Sequence, residues 1–356
     1  MGRPFGGAHD GHNGSMWALA ARAIHEDGWL GSALGARRQD LTYASHPPTL
    51  SVVLGAVTAI LGLTATTVRA VAVAASACAV LAMLRLGRAC GLDRTERLLA
   101  AGAFLSLPMF TTFGSMTDTW TVGLPAGLLL LVAHVEGRRR GRAAWTFVSG
   151  VFSWQGLLAS GIVAATAWRR DRDPYPLLVT TLTGVLLALY AWWADHWSTL
   201  TSNGGSRAGL GLTRMVPFQA SYLWELMGPL GLTGLVALLV CAGPARRAGV
   251  LCGAAVLAYV MAFPGGAENH AYWAYWAMVP AALGVGLAAR RVGARVLAPM
   301  VALVAVLNVA TETTWERADR EASEAMAEAK ETGASTEPLY NEPGGPAVVF
   351  ELQQRP

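Results

Sequence analysis

The sequence predicts an all-α polytopic membrane protein of roughly 10–11 transmembrane helices, with an amphipathic helix on one face and a short acidic tail. Three observations carry this. The 356 residues are 53% hydrophobic and only 14% charged, whereas soluble domains carry about a quarter charged residues. Mean hydropathy is +0.39. The apolar residues gather in stretches near the length a bilayer crossing needs, and arginines cluster between them.

In chain order, the expected spans are 49–64, 68–84, 98–115, 119–135, 145–168, 175–193, 228–243, 249–263, 272–289 and 294–311. The stretch 145–168 reads as two short helices broken near Ser153-Trp154-Gln155-Gly156. Basic clusters at Arg85, Arg88, Arg94 and Arg97, at Arg138, Arg139, Arg140 and Arg142, at Arg169, Arg170 and Arg172, at Arg246 and Arg247, and at Arg290, Arg291 and Arg295 are taken as cytoplasmic. The net charge of +4 therefore describes membrane orientation and gives no sign of nucleic-acid binding. One conflict arises. Two crossings between His46 and Arg85 would leave both on one side, so 49–84 must contain a re-entrant piece or a misread span.

Three regions result: an outer head at 1–48, a membrane domain at 49–311 and an extracytoplasmic acidic tail at 312–356. In the head, 15–27 predicts an interfacial helix with Trp17, Leu19, Ala20, Ala23 and Ile24 on its apolar side and Arg22, His25 and Glu26 on its polar side. In the tail, 312–332 predicts a solvated helix, 338–345 a turn-rich stretch and 347–352 a short strand. No signal peptide is visible. A further helix before Met1 and a short amino terminus both fit a head placed outside. Cys78, Cys90, Cys241 and Cys252 show neither metal-ligand spacing nor a disulfide framework.

Ionisable residues at the lip of a membrane domain usually serve chemistry or binding, and here they come from several distant segments. Asp10 stands in His9-Asp10-Gly11-His12-Asn13-Gly14, read as a Gly-rich turn, where a carboxylate suits a base or a cation ligand. Capping the following helix is the plain alternative. His46-Pro47-Pro48 is a stiff entry to a helix, and it either places an imidazole for an anion such as phosphate or serves as a rigid entry with no ligand. Asp118 is either an N-cap of 119–135 or a second acid of the site. Glu268 and His270 sit in a loop at 264–271, before Tyr272, Trp273, Tyr275 and Trp276, whose tryptophans read as an interfacial belt. Arg207 and Arg214, in a Gly-rich loop at 194–227, suit a lipid phosphate or plain head-group contact. Asp10, His12, Asp118 and His270 also offer a mixed nitrogen–oxygen set for a divalent metal, without the short spacing that would argue for one.

These residues resemble the pattern of the C-type, multi-pass glycosyltransferases, in the group of the protein O-mannosyltransferases and the lipid A aminoarabinose transferases. That pattern has an acidic residue in the first outer loop, matched by Asp10, and an amphipathic helix, matched by Ala18-Leu19-Ala20-Ala21-Arg22-Ala23-Ile24. A basic or His residue before Pro-Pro follows, matched by His46-Pro47-Pro48. The second acid after a Pro-containing helix is matched by Pro108 and Asp118, and the late loop by His270-Ala271-Tyr272 before Pro280. The resemblance spans most of 1–311; the usual first membrane helix is absent, the paired acids of the first motif are reduced to Asp10, with His12-Asn13 following, and the large carboxy-terminal domain is reduced to a short tail. It implies sugar transfer from a polyprenyl-phosphate donor to an acceptor hydroxyl on the extracytoplasmic face, probing a cell-envelope role, with inversion at the sugar carbon. Asp10 would be the base and Asp118 the second catalytic acid. His46, Arg207, Arg214 and His270 would bind the donor phosphate; His12, Glu268 and Tyr272 would position substrate. A lipid-linked-sugar flippase or transporter is the competing class, although polar residues gathered on one face favour a one-sided enzyme.

Overall fold

The computed structural model describes residues 5, 9–38, 41–42, 46–208, 212–311 and 313–332; a few side chains within these stretches lie outside the description. The turn and strand expected at 338–345 and 347–352 fall outside it.

Helix α1 (His9–Gly31) bends at Gly28, φ 74°, and leads to a ribbon of β1 (Arg37–Arg38) and β2 (Leu41–Thr42), paired antiparallel. Next come α2 (Thr49–Leu61), α3 (Ala65–Ala89), α4 (Arg94–Ser106), α5 (Pro108–Phe113) and α6 (Thr119–Val135). Then follow α7 (Arg139–Phe152), α8 (Trp154–Asp171), α9 (Tyr175–Trp193), α10 (Trp197–Ala208), α11 (Leu212–Val240) and α12 (Pro244–Ala262). A short α13 (Pro264–Asn269) and a 3₁₀ segment (Ala271–Ala277) precede α14 (Met278–Val292), α15 (Ala294–Ala310) and α16 (Thr314–Thr332). Among the described residues, five helices are long and apolar enough to cross a membrane: α3, α9, α11 from Met215, α12, and the 3₁₀ segment with α14. The other expected spans are shorter helices or broken pairs.

The breaks have local causes. The span expected at 98–115 divides because Pro108 has no N–H for α4 to continue through. The break foreseen near Ser153 is present; Ser153 Oγ accepts from Gly156 N at 2.9 Å and starts α8. The loop expected at 194–227 is instead α10 and the first part of α11, since glycines at 204 and 205 do not stop a helix that neighbouring elements hold.

Ion pairs locate one face. Arg85 Nη2 meets Glu136 Oε1 at 3.1 Å, joining the ends of α3 and α6. Arg290 Nε meets Glu96 Oε1 at 2.6 Å, joining the end of α14 to the start of α4. Arg142, 1% exposed, reaches Asp171 and Asp173 at 2.7 Å each, tying α7 to the end of α8. From that basic face α4 rises and α6 descends. The pair α7 and α8 then enters and returns, as the basic clusters required.

The conflict at 49–84 resolves in α2. Its 13 residues span about 20 Å, against about 30 Å of hydrocarbon. Trp17 and His46 rings lie 5.9 Å apart, while Asp10, two turns earlier on α1, pairs with Arg69 near the start of α3. Both α2 and α3 therefore begin at the same face, and α2 is not a crossing.

The structure refines two expectations about surfaces. The apolar side of helix α1 is covered by protein: Trp17, Ala18, Ala20, Ala21, Ala23 and Ile24 are all buried, packed against α2 and α3, while His25, Glu26 and Asp27 are exposed. The tail helix α16 is solvated on one side only, with Met326 and Ser323 buried and α1 as a neighbour.

The tightest helix contact is α11 on α14. A Cβ at Gly284 would lie 1.7 Å from Gly234 O, so the two backbones touch. Gly284→Val is expected to force the pair apart and cost at least about 1–3 kcal/mol. A lowered melting temperature in detergent would check this; an unchanged one would contradict the contact.

Candidate active site

The site lies at the end of the bundle opposite the arginine clusters. Asp10 is in the first turn of α1, since the helix begins at His9 and not after the glycines. Gly11 and Gly14 read as a turn in sequence. Gly14 has a packing reason instead: a Cβ there would meet the Phe5 ring at 2.2 Å. Asp10 Oδ2 accepts from Arg69 Nε at 2.8 Å, with the side chains 16% and 7% exposed. The Arg69 guanidinium stands 4.7 Å over the Phe5 ring. Burial pushes the Asp10 carboxyl above its ordinary value, opposed by the charge and hydrogen bond of Arg69.

Asp118 occupies the N-cap position of α6 in extended conformation and is buried. Its Oδ1 accepts from Thr119 Oγ1 at 3.0 Å. Burial pushes this carboxyl up to about 7, against the lowering pull of the Thr119 hydroxyl and the Thr119 and Trp120 amides. The loop bearing Asp118 is bound from two sides. Thr117 Oγ1 donates to Val68 O at 3.0 Å, one residue from Arg69, and Asn13 Nδ2 lies 3.5 Å from Met116 Sδ. Both acids are thus fixed around the Val68-Arg69 turn of α3.

His46 is half-buried between the rings of Trp17 at 5.9 Å and Trp120 at 5.8 Å. From Trp120 the aromatic contacts continue to Tyr259 at 5.0 Å, Trp273 at 5.8 Å and Tyr272 at 6.5 Å. His270 closes the series, 5.2 Å from Trp273, with its Nδ1 3.1 Å from the Tyr272 hydroxyl. The rings at 272–276 are buried and form the core here, not an interfacial belt. Trp276 Nε1 donates to Trp120 O at 2.9 Å, and Gln155 Nε2 donates to Trp273 O. These bonds lock the 3₁₀ segment onto α6 and α8. An apolar cavity of about 370 Å³ opens beside His46, walled by Trp154, Leu158, Leu200, Tyr259, Phe263 and Trp273.

The structure therefore brings Asp10, His46 and Asp118 to one end of the bundle and joins His270 and Tyr272 to them through rings. His12 is exposed on α1. Arg207 and Arg214 lie on α10 and α11, not in a loop, and Glu268 lies on α13; their side chains are outside the described residues. Among the described residues, no three His, Cys, Asp or Glu side chains are grouped to hold a metal ion, and Asp10 meets Arg69 instead. Sequence reasoning missed Arg69, although a lone arginine inside an expected span is itself a signal. It also passed over Trp120 as the ring linking the two histidines.

Fold and site together define a multi-pass helical membrane protein with its polar machinery at one end. No family model and no curated protein matches the chain. Among solved structures it is similar to ArnT from Cupriavidus metallidurans bound to undecaprenyl phosphate, with TM-score 0.63 and 14% identity over 98% of this chain and 71% of that one. The apo state of the same ArnT gives TM-score 0.51 and 14% identity, over 98% of this chain and 64% of that one. The likeness is one of fold: this chain shares the all-helical membrane fold of that ArnT.

The Asp118 carboxyl yields a stability prediction. Its folded value of about 7 exceeds its ordinary 3.8, so the folded state retains a proton that the unfolded state loses between those values. Stability from this group is therefore present at low pH and declines as pH rises through that window. Asp118→Asn, which carries no charge, is expected to melt above wild type at pH 8 and with it at pH 4. Equal melting curves at pH 8 would refute the buried-acid assignment.

Proposed function

We propose that this protein transfers a sugar from a polyprenyl-phosphate donor to an acceptor hydroxyl at the end of the bundle that holds Asp10, His46 and Asp118. The observation that carries the reading is the apolar cavity with His46 at its edge. An isoprenoid phosphate has the same division, a long apolar chain and one anionic head. The likeness of the fold to an ArnT bound to undecaprenyl phosphate supports the same ligand class.

The chemistry follows from positioning and proton removal. The acceptor oxygen forms its bond to the anomeric carbon while Asp10 takes the hydroxyl proton. The bond from that carbon to the phosphate oxygen breaks, and the phosphate leaves with the electron pair. Attack opposite the leaving group inverts the sugar carbon. His46 and His270 stabilise the charge gathered on the phosphate, with Arg207 and Arg214 from α10 and α11. Asp118 orients the acceptor, and His12, Glu268 and Tyr272 position the sugar. The arginine clusters at the opposite end support an extracytoplasmic side for this chemistry.

Purified protein given a panel of radiolabelled undecaprenyl-phosphate sugars and membrane acceptors is expected to release undecaprenyl phosphate. Asp10→Asn should lower that rate about 100- to 10,000-fold, and Ala262→Trp, which fills the cavity wall, should raise the donor KM. Movement of intact donor across liposomes with no bond cleavage would overturn the transferase in favour of a flippase.

A further inference from the structure

We infer that Arg69 is a positioning residue for the reaction, holding the Asp10 carboxylate in one orientation from the same turn of α3 that anchors the Asp118 loop. This deepens the transferase reading and rests on it.

Three observations lead here. First, the contact is a charge-assisted hydrogen bond of 2.8 Å between nearly buried side chains, and such bonds are directional as well as strong. Using Nε leaves Asp10 held from the side by a group that cannot lose its proton. Second, the guanidinium is seated on the Phe5 ring at 4.7 Å, and Phe5 is itself fully buried against Gly14. The arginine is thus braced by a ring as well as by the acid, and cation–π contacts of this kind fix a planar group. Third, Val68, the next residue back, accepts from Thr117 beside Asp118. One helical turn therefore sets the spacing of both acids.

The physical need is plain. A carboxylate removed from water holds its proton and cannot act as a base. It also rotates about its last bond unless something grips it. Arg69 opposes the first and prevents the second, and it does not have to touch the donor. That separates it from His46, which stands at the cavity.

The test uses the full chain with donor turnover as the readout. Arg69→Ala is expected to lower kcat about 100-fold, the lower range of a general-base contribution, with the donor KM little changed. Added methylguanidinium should restore part of the Arg69→Ala rate and none of the Asp10→Asn rate. The Asp10→Asn/Arg69→Ala double variant should be no slower than Asp10→Asn alone, because the two residues act as a unit. Donor binding to each purified variant, measured with undecaprenyl phosphate, serves as the control for folding, and Arg69→Lys gives a charged variant should the alanine form fail it. A kcat near wild type in Arg69→Ala overturns the proposal, and so does a rise in donor KM as the main effect or additive losses in the double variant. A wild-type chain that cleaves no lipid-linked sugar overturns the transferase reading itself, and this inference with it.

Discussion

Away from water, an unpaired backbone carbonyl or a lone charge costs several kcal/mol, and the ends of this bundle are organised by that cost. Regular helices satisfy their own backbones, so the expense falls where helices break. At the site end the breaks at 114–118, at Ser153 and at 263–277 lie beside one another. Each is closed by a side chain from a different element, the one at Ser153 by Thr49 Oγ1, which donates to Val151 O at 2.7 Å. Ser76 donates to Gly114 O at 2.6 Å, Thr121 to Phe113 O at 3.2 Å and Gln219 to Ala267 O at 2.6 Å. Trp276 and Gln155 add their bonds to Trp120 O and Trp273 O. The breaks leave backbone and polar side chains in reach of a ligand, and the cross-links keep them rigid.

The opposite end meets the same cost with charge. Arg142 is buried between two carboxylates, and Glu96 both completes the capping box of α4 with Asp93 and receives Arg290. A buried arginine with one acid removed is left with uncompensated charge, so these pairs hold α7, α8 and the α4–α14 corner in fixed register. Rigidity at this end matters to the other. The helices that present Trp120, Gln155 and Trp273 are the same ones that the arginines tie below.

How much of this the sequence made legible follows from what each signal depends on. Apolar runs and arginine clusters depend only on the bilayer, so the helix order, the break near Ser153 and the in-and-out path of 145–168 could be read directly. Glycine misled wherever packing outweighed propensity. Gly11 and Gly14 looked like a turn around Asp10 and are helical, because the Phe5 ring needs the space at Gly14. Gly204 and Gly205 looked like a loop and lie in α10. The aromatic run at 272–276 looked like a belt because amphipathic rings suit an interface equally well; only the approach of α6, α8 and α12 makes it core. Asp10, His46 and Asp118 stood out as polar residues at the edge of apolar stretches. Their arrangement around Val68 and Arg69 did not, because it depends on α2 failing to cross, and 13 apolar residues do not say whether a helix crosses or folds back.

The filling of the bundle beneath the site bears on mechanism. Below His46 the rings of Trp120, Tyr259 and Trp273 are packed at 4.9–5.8 Å, Tyr259 edge-on to both tryptophans and the tryptophans tilted to each other. Deeper still, Trp276 is seated against Gly127, where a Cβ would lie 2.5 Å from the ring. Leu124, Leu128, Leu130 and Leu131 of α6 are buried along the same axis. A carrier needs a polar route that opens to each side in turn, commonly at broken helices near mid-membrane. Here the breaks that surround the acids and histidines stand at one end, α11 alone among the long spans also breaking partway along, at Gly228 before Pro229, and packed rings and leucines lie between the site and the arginine pairs. A substrate can meet these acids and histidines from the near side or along the apolar cavity, without passing through the bundle. That geometry favours bond-making at one surface over transport across it.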